Sequence, residues 1–493
     1  MQFITYAFLL FFVLSCVLYF VLPRVARMPW LLVCSYLFYL YEPSNIGFVV
    51  LLASATLVTY CAALAVEKLP KGLLRRLFLF AAMLVSLGSL IFYKYFGFIT
   101  EISTKFVNML GFNLHAPTFS VAVPLGISYF TFMALGYVVD VYKGKIKAER
   151  NFFHYALFVS FFPCIVTGPI ERAENILPQF KKPAKFEYNR VAGGAFRILW
   201  GFFKKLVIAG NIGTIVTLIY KNPDKYPGPM LFLASVLFTY QLYCDFSACS
   251  DIAIGCGAVF GIKIMENFKR PLAAASFNDL WRRWHISLTN WFRDYMYIPL
   301  GGNRRGKLRT YLNQMIVFMA SGLWHGASAA YIFWGFLNGV YLCIGKFTAP
   351  VRGKLALKNP LYHFKPIKYI IQNIITYLLF TSCIVFFCMA LQGENIKSAF
   401  AFYAQMWTGW DVLFNNFAVL FAKLVPGIIK QEVAIMLLIA VPLVELLEYL
   451  LPVINERIMR VYFFIRWPLY YALFIAILLF GAFGKSEFIY QSY

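Results

Sequence analysis

The sequence predicts an all-α, polytopic integral membrane protein, and three observations carry that prediction. Hydrophobic residues make up 61% of the chain and charged residues only 13%, at a mean hydropathy of +0.70, whereas soluble globular domains are about a quarter charged. Apolar runs near the ~20 residues that cross the hydrocarbon as a helix recur along the whole length. They lie near residues 2–22, 46–66, 77–98, 120–141, 195–220, 229–250, 311–345, 367–392, 431–451 and 467–484. Shorter runs near 29–42, 152–168 and 251–262 suit short, tilted or re-entrant helices. The expected architecture is roughly ten to thirteen membrane segments around a central funnel or tunnel.

Charge orders these segments across the bilayer. The net charge of +24 is scattered through short loops, with no separable basic domain, so nucleic-acid binding is not indicated and positive-inside topology accounts for it. The Glu67–Arg76 loop (Lys68, Lys71, Arg75, Arg76) and the Lys143–Arg150 loop read as cytoplasmic, which places the Gly97–Ser120 loop outside. Arg24 and Arg27 also fall inside, sending the N-terminus out. The first helix has neither a charged leading region nor a small-residue cleavage site before Leu22, so it reads as a retained span. Arg457, Arg460 and Arg466 precede the last span and make the tail at 484–493 external.

Ten cysteines are spread mostly through apolar runs, with no CxxC pair, and there is no HExxH. Neither a disulfide framework nor a metal site is expected. Cys249 and Cys256 read as small buried residues on one helix face. No linker, low-complexity tract or repeat divides the chain, so 1–493 reads as one membrane-embedded unit. Helix-ending breaks fall at Lys181–Arg190, Lys263–Arg309 and Val351–Lys368.

The anomaly is Leu280–Gly326, which is aromatic and basic at once and holds two of the five histidines. From Asn278 to Tyr297 the pattern predicts a helix at the cytoplasmic interface, anchored by Trp281, Trp284 and Trp291. His325 ends an apolar run and precedes Gly326, Ala327 and Ser328, small residues that leave room for a substrate. A neutral imidazole there can accept a proton from a hydroxyl or thiol; a buried histidine satisfied by a backbone carbonyl is the competing reading. His285 suits a second site residue that meets an acyl carbonyl or orients the acceptor, or else an interfacial histidine in an aromatic belt.

The arginines Arg282, Arg283, Arg293, Arg304, Arg305 and Arg309 suit a phosphate-bearing cytoplasmic ligand such as an acyl-coenzyme A, against the plainer reading of lipid-facing positive-inside charge. Gly301–Lys307 lacks the spacing of a phosphate loop and reads as a turn. Asp245 and Asp251 lie in an apolar context and are expected to hold the arginine-rich stretch by ion pairing. His115, His154 and His363 carry no assigned role.

Taken in order, several motifs resemble the membrane-bound O-acyltransferases, in their bacterial branch of alginate and peptidoglycan O-acetyltransferase membrane subunits. They are Pro124–Phe132, Asp140-Val141-Tyr142, Phe161-Phe162-Pro163 with Gly168-Pro169-Ile170, Tyr243–Ser247 with Ser250–Ala253, Glu266-Asn267-Phe268 and Trp281–Gly326. The resemblance implies a catalytic role for His325 in its Leu-Trp-His-Gly motif and an active-site companion in His285. It implies a catalytic core at 120–345 and a bacterial plasma membrane location with both termini external. It also implies acetyl-CoA as acyl donor, with no permanently bound cofactor, and an extracytoplasmic SGNH-type partner that acetylates a polysaccharide; of the arginines above, Arg282, Arg283, Arg304 and Arg305 are expected to meet the donor's phosphates. Leu300–Arg304 is similar to the acetyltransferase branch, against the D-alanyl transferases of teichoic acid. Phe488–Tyr493 resembles a tail whose tyrosine, here Tyr490, is proposed to carry the acyl group as an ester, though Gln491-Ser492-Tyr493 departs from that pattern. A transporter or flippase without covalent chemistry is the alternative from another class; no inverted repeat supports it.

Overall fold

The computed structural model describes residues 1–42, 46–113, 122–358, 365–412, 437, 439–450 and 463–484. His115, His363, Arg457, Arg460 and the tail bearing Tyr490 lie outside the described residues. Among those described, all regular structure is helical. Six helices are long and apolar enough to cross a membrane: Val49–Lys68, Leu73–Met109, Tyr188–Lys221, Gly228–Phe260, Ala329–Arg352 and Pro366–Leu391. Tyr6–Val21, Ile127–Tyr142 and Trp467–Phe480 are shorter apolar helices. The all-α membrane architecture expected from composition is therefore the one found.

The chain falls into two compact units, one of Met1–Ile198 with Ile252–Met265 and the other of Leu199–Asp251 with the described part of Glu266–Ser492. The first contains α1 (Tyr6–Val21), α2 (Arg24–Leu40), α3 (Val49–Lys68), α4 (Leu73–Met109), α5 (Ile127–Tyr142), α6 (Phe152–Ser160), α7 (Phe162–Ile165), α8 (Ala173–Phe180) and the start of α9 (Tyr188–Phe202). Pro23 separates α1 from α2, and Asn151 caps α6 by accepting from the Phe153 and His154 amides. Phe8, Phe38 and Phe162 pack ring against ring in its core, with centroids 5.6–6.2 Å apart where they meet.

The second unit holds a π-helical turn at Phe203–Ala209, α10 (Gly210–Lys221), most of α11 (Gly228–Phe260), α12 (Phe277–Arg283), α13 (Ile286–Phe292), a π turn at Arg293–Tyr297, α14 (Lys307–His325), α15 (Ala329–Lys358), α16 (Lys365–Leu391), α17 (Ile396–Gln405) and α18 (Phe463–Phe480). The first π turn carries Lys204 and Lys205, both buried. Lys204 Nζ lies 2.7 Å from Asp251, 2.9 Å from Glu448 and 2.7 Å from Ser247 Oγ, while Lys205 pairs with Asp245. Among the described residues, the ion-pair partners of Asp251 and Asp245 are thus lysines, where arginines were expected. Charge neutralisation within lipid requires an opposite charge at contact distance, and the π turn supplies two.

α14 and α15 form a hairpin whose close approach depends on glycine. A Cβ on Gly322 would stand 2.2 Å from the Tyr331 carbonyl oxygen, and one on Gly335 would stand 2.2 Å from that of Phe318. Gly335 and Gly339 form a small-xxx-small row on α15, the arrangement that lets membrane helices meet backbone to backbone. Gly345, further along α15, has open space around it. Gly322→Leu and Gly335→Leu are accordingly expected to abolish most of the monodisperse folded protein recovered in detergent. Gly345→Ala should leave the yield intact and raise helix stability by up to about 1 kcal/mol. Size-exclusion profiles and unfolding midpoints of the three variants check this, and a normal profile for both leucine variants would contradict the packing argument.

Candidate functional site

The site is built at the junction of α12 and α13. Ser276 caps α12 by accepting from the Asp279 amide at 3.1 Å, and Arg283 pairs with Asp279 at 2.9 Å one turn later. The helix then stops, although the pattern from Asn278 to Tyr297 predicts an uninterrupted one. His285 adopts left-handed backbone angles of φ 43° and ψ 54°, a region few non-glycine residues enter. Asn267 explains the break, because it takes the amides that open α13. Its backbone carbonyl accepts from Ile286 N at 2.9 Å, and its side-chain Oδ1 accepts from Ser287 N at 3.2 Å and Ser287 Oγ at 2.9 Å. The same Oδ1 lies 3.1 Å from His285 Nδ1, and Asn267 Nδ2 donates to Ser250 Oγ on α11 at 3.0 Å.

His285 is 1% exposed. Phe246 meets its ring edge-on at 4.6 Å, Phe268 lies nearly parallel at 6.5 Å, and Trp324 stands at 6.1 Å. His285 Nε2 is buried and has no hydrogen-bond partner among the described residues. His325, the last residue of α14, is also buried and packs against Trp324 at 4.9 Å, Trp334 at 5.1 Å and Phe387 at 5.2 Å. The Trp324 ring therefore touches both imidazoles, so the structure brings together two histidines far apart in sequence. At Gly326 the missing side chain does not leave open room. A Cβ there would fall 2.2 Å from the Tyr331 ring, which occupies that space.

The four arginines assigned to an acyl donor are placed less uniformly. Arg282, Arg304 and Arg305 are exposed, the latter two on the turn before α14, while Arg283 is half-buried and held by Asp279. No contact among the described residues joins Arg282, Arg304 or Arg305 to either histidine. Asn313 on α14 donates to the carbonyls of Leu300 at 3.3 Å and Gly302 at 3.0 Å, which pins the glycine-rich turn to the helix that ends in His325. Asn267, Ser250, Ser287 and Asn313 fall within motifs quoted for the family resemblance but were given no role of their own. Beyond that motif membership, each is a small polar residue in an apolar context, which also describes many ordinary helix-satisfied serines and asparagines.

Imidazoles enclosed by aromatic rings can take part in proton transfer and hydrogen bonding shielded from water, an environment suited to transfer of an activated acyl group. Comparison with known proteins agrees. Residues 142–392 match the membrane-bound O-acyltransferase family. The chain is 34% identical over 397 residues to a protein of Pseudomonas putida named probable alginate O-acetylase, covering 80% of this chain and 77% of the relative. It is 32% identical to the peptidoglycan O-acetyltransferase of Helicobacter pylori, over 77% of this chain and 75% of that one. Against the teichoic acid D-alanyltransferase of Bacillus subtilis the identity is 30%, over 47% of this chain and 61% of the relative. The chain belongs to the membrane-bound O-acyltransferase family and is a multi-pass membrane enzyme that transfers acyl groups.

Proposed function

We propose that this chain takes an acetyl group from cytoplasmic acetyl-CoA and passes it through the bacterial plasma membrane to the ester oxygen of Tyr490. An extracytoplasmic SGNH-type partner then moves it onto a cell-envelope polysaccharide. The observation that carries this reading is coverage. The two O-acetyl relatives described above align over 77% and 80% of the chain, and the D-alanyl relative described there over 47%. The whole chain, 1–493, acts as one acyltransferase unit with its core at 120–345 and both termini outside.

In this reading His325 takes the proton of the acceptor hydroxyl as its oxygen forms a bond to the acyl carbon. The carbon–sulfur bond of the thioester breaks, and the departing thiolate takes the proton back from the imidazole. His285, which also packs against Trp324, positions the acyl group or its leaving thiolate. Arg282, Arg304 and Arg305 offer exposed guanidinium forks for the phosphates of the donor, and Arg283 contributes from its ion pair with Asp279.

Radiolabel from acetyl-CoA should be retained on wild-type protein as a base-labile ester, and Tyr490→Phe should lose it from the tail. His325→Ala should slow loading by at least about a hundredfold. Undiminished label on both variants would refute the mechanism. Label absent from the wild type, but gained from a D-alanyl-loaded carrier protein, would establish D-alanyl transfer instead.

Burial pushes the His285 imidazole from an ordinary 6.5 down to about 3. Between those values the unfolded chain binds a proton that the folded chain does not, so this residue lowers stability as pH falls below 6.5. The slope is on the order of 1 kcal/mol per pH unit. Unfolding midpoints in detergent at pH 7.5 and pH 5.5 are expected to differ less for His285→Gln than for wild type. Equal acid-side losses would contradict the assignment.

A further inference from the structure

We propose that Asn267 is a positioning residue that holds His285 in one neutral tautomer, with the proton on Nδ1 and the lone pair on Nε2. This histidine then meets the thiol of the departing coenzyme A, which can donate, and not the acyl carbonyl. The inference rests on His285 lining the reaction site, as proposed above.

The argument starts with the orientation of the Asn267 amide, which its neighbours determine. A backbone amide only donates, and that of Ser287 lies 3.2 Å from Oδ1, so the oxygen faces α13. The nitrogen faces Ser250 Oγ at 3.0 Å, which accepts from it. The Asn267 backbone is tied down as well, through its carbonyl to Ile286 N at 2.9 Å, and the residue is 0% exposed. An oxygen placed in this way can only accept. His285 Nδ1, 3.1 Å from it, must therefore carry the proton, and in a neutral imidazole the other nitrogen then has none. Turning the ring over would set a carbon against Oδ1 and surrender the bond.

Nε2 is thus an acceptor, buried and without a partner among the described residues. A buried acceptor left unmet is costly, and a ligand that donates removes that cost. A thioester carbonyl cannot donate, since its oxygen only accepts. The acceptor hydroxyl has one proton, which goes to His325, so Nε2 is left to the S–H of the departing coenzyme A thiol, while the carbonyl is left to donors such as the indole N–H groups of Trp281 and Trp334. Those two groups are also buried without hydrogen-bond partners among the described residues. The left-handed backbone of His285 fits the same account, because it lets one asparagine side chain meet both the imidazole and the Ser287 amide in the first turn of α13.

Nitrogen NMR of full-length protein carrying isotope-labelled histidine in nanodiscs tests this directly, since the chain has only five histidines. The His285 signals are assigned by their absence from His285→Gln. Wild type should show a protonated Nδ1 and an unprotonated Nε2 at neutral pH. Asn267→Leu should mix the tautomers and lower kcat at least about tenfold, with little change in KM for the acyl donor. Asn267→Asp keeps an acceptor at the same place and should restore the tautomer and most of kcat. A proton on Nε2 in wild type, or an unchanged tautomer in Asn267→Leu, overturns the proposal. If Asn267→Leu does not fold, the wild-type and Asn267→Asp spectra decide it. The expected tautomer in a protein that transfers no acyl group would defeat the functional reading and leave the tautomer assignment standing.

Discussion

Hydrocarbon offers no water to polar groups, so a polar group buried in this chain is costly unless another part of the chain or a ligand meets it. That constraint organises the second unit. Lys204 meets Asp251, Glu448 and Ser247, and Lys205 meets Asp245, which gathers the π turn, α11 and the segment at 439–450 around two positive charges. Tyr243 donates to the same Glu448, and its ring packs 6.2 Å from Trp284, the residue before His285. The ion-pair cluster and the histidine site are therefore joined by packed side chains within one unit. Exchanging such a cluster for apolar residues is often tolerated, whereas removing one partner strands a charge.

Asn267 satisfies the same constraint on a smaller scale. A helix that stops inside a protein leaves amides without acceptors, and Asn267 supplies acceptors to two of those that open α13. In doing so it stops α12 at Trp284, turns His285 into a left-handed conformation and places its imidazole among Phe246, Phe268 and Trp324. A helix continued through this point would carry His285 with the surface of an interfacial amphipathic segment. The glycine contacts of α14 and α15 do for His325 what Asn267 does for His285. They bring Trp334 on α15 against the last residue of α14, so that His325 sits between indole rings.

Family membership and local geometry bear on different questions. The match over 142–392 and the aligned relatives establish acyl transfer in a membrane. The geometry bears on how protons are handled, because it distinguishes a histidine whose second nitrogen is committed to Asn267 from one at the end of a helix. It also separates the arginines, since Arg283 is engaged with Asp279 while Arg282, Arg304 and Arg305 face outward.

Much of this was legible in the sequence. Hydropathy alone determined the all-α membrane class, because only helices satisfy their own backbone in lipid over a run of apolar residues. His285 and His325 stood out because histidine is rare at such depth. What the sequence could not determine were the partners. Asp245 and Asp251 signalled a need for positive charge, but which of the 45 lysines and arginines answers it depends on distances set by packing. The break at His285 was hidden because its cause, Asn267, lies 18 residues away and competes with helix formation only once the chain has folded back. Short-range periodicity carries the elements and their apolar character. The tertiary structure decides which polar atoms meet, because hydrogen bonds and ion pairs act over a few ångströms between residues that sequence separation does not relate.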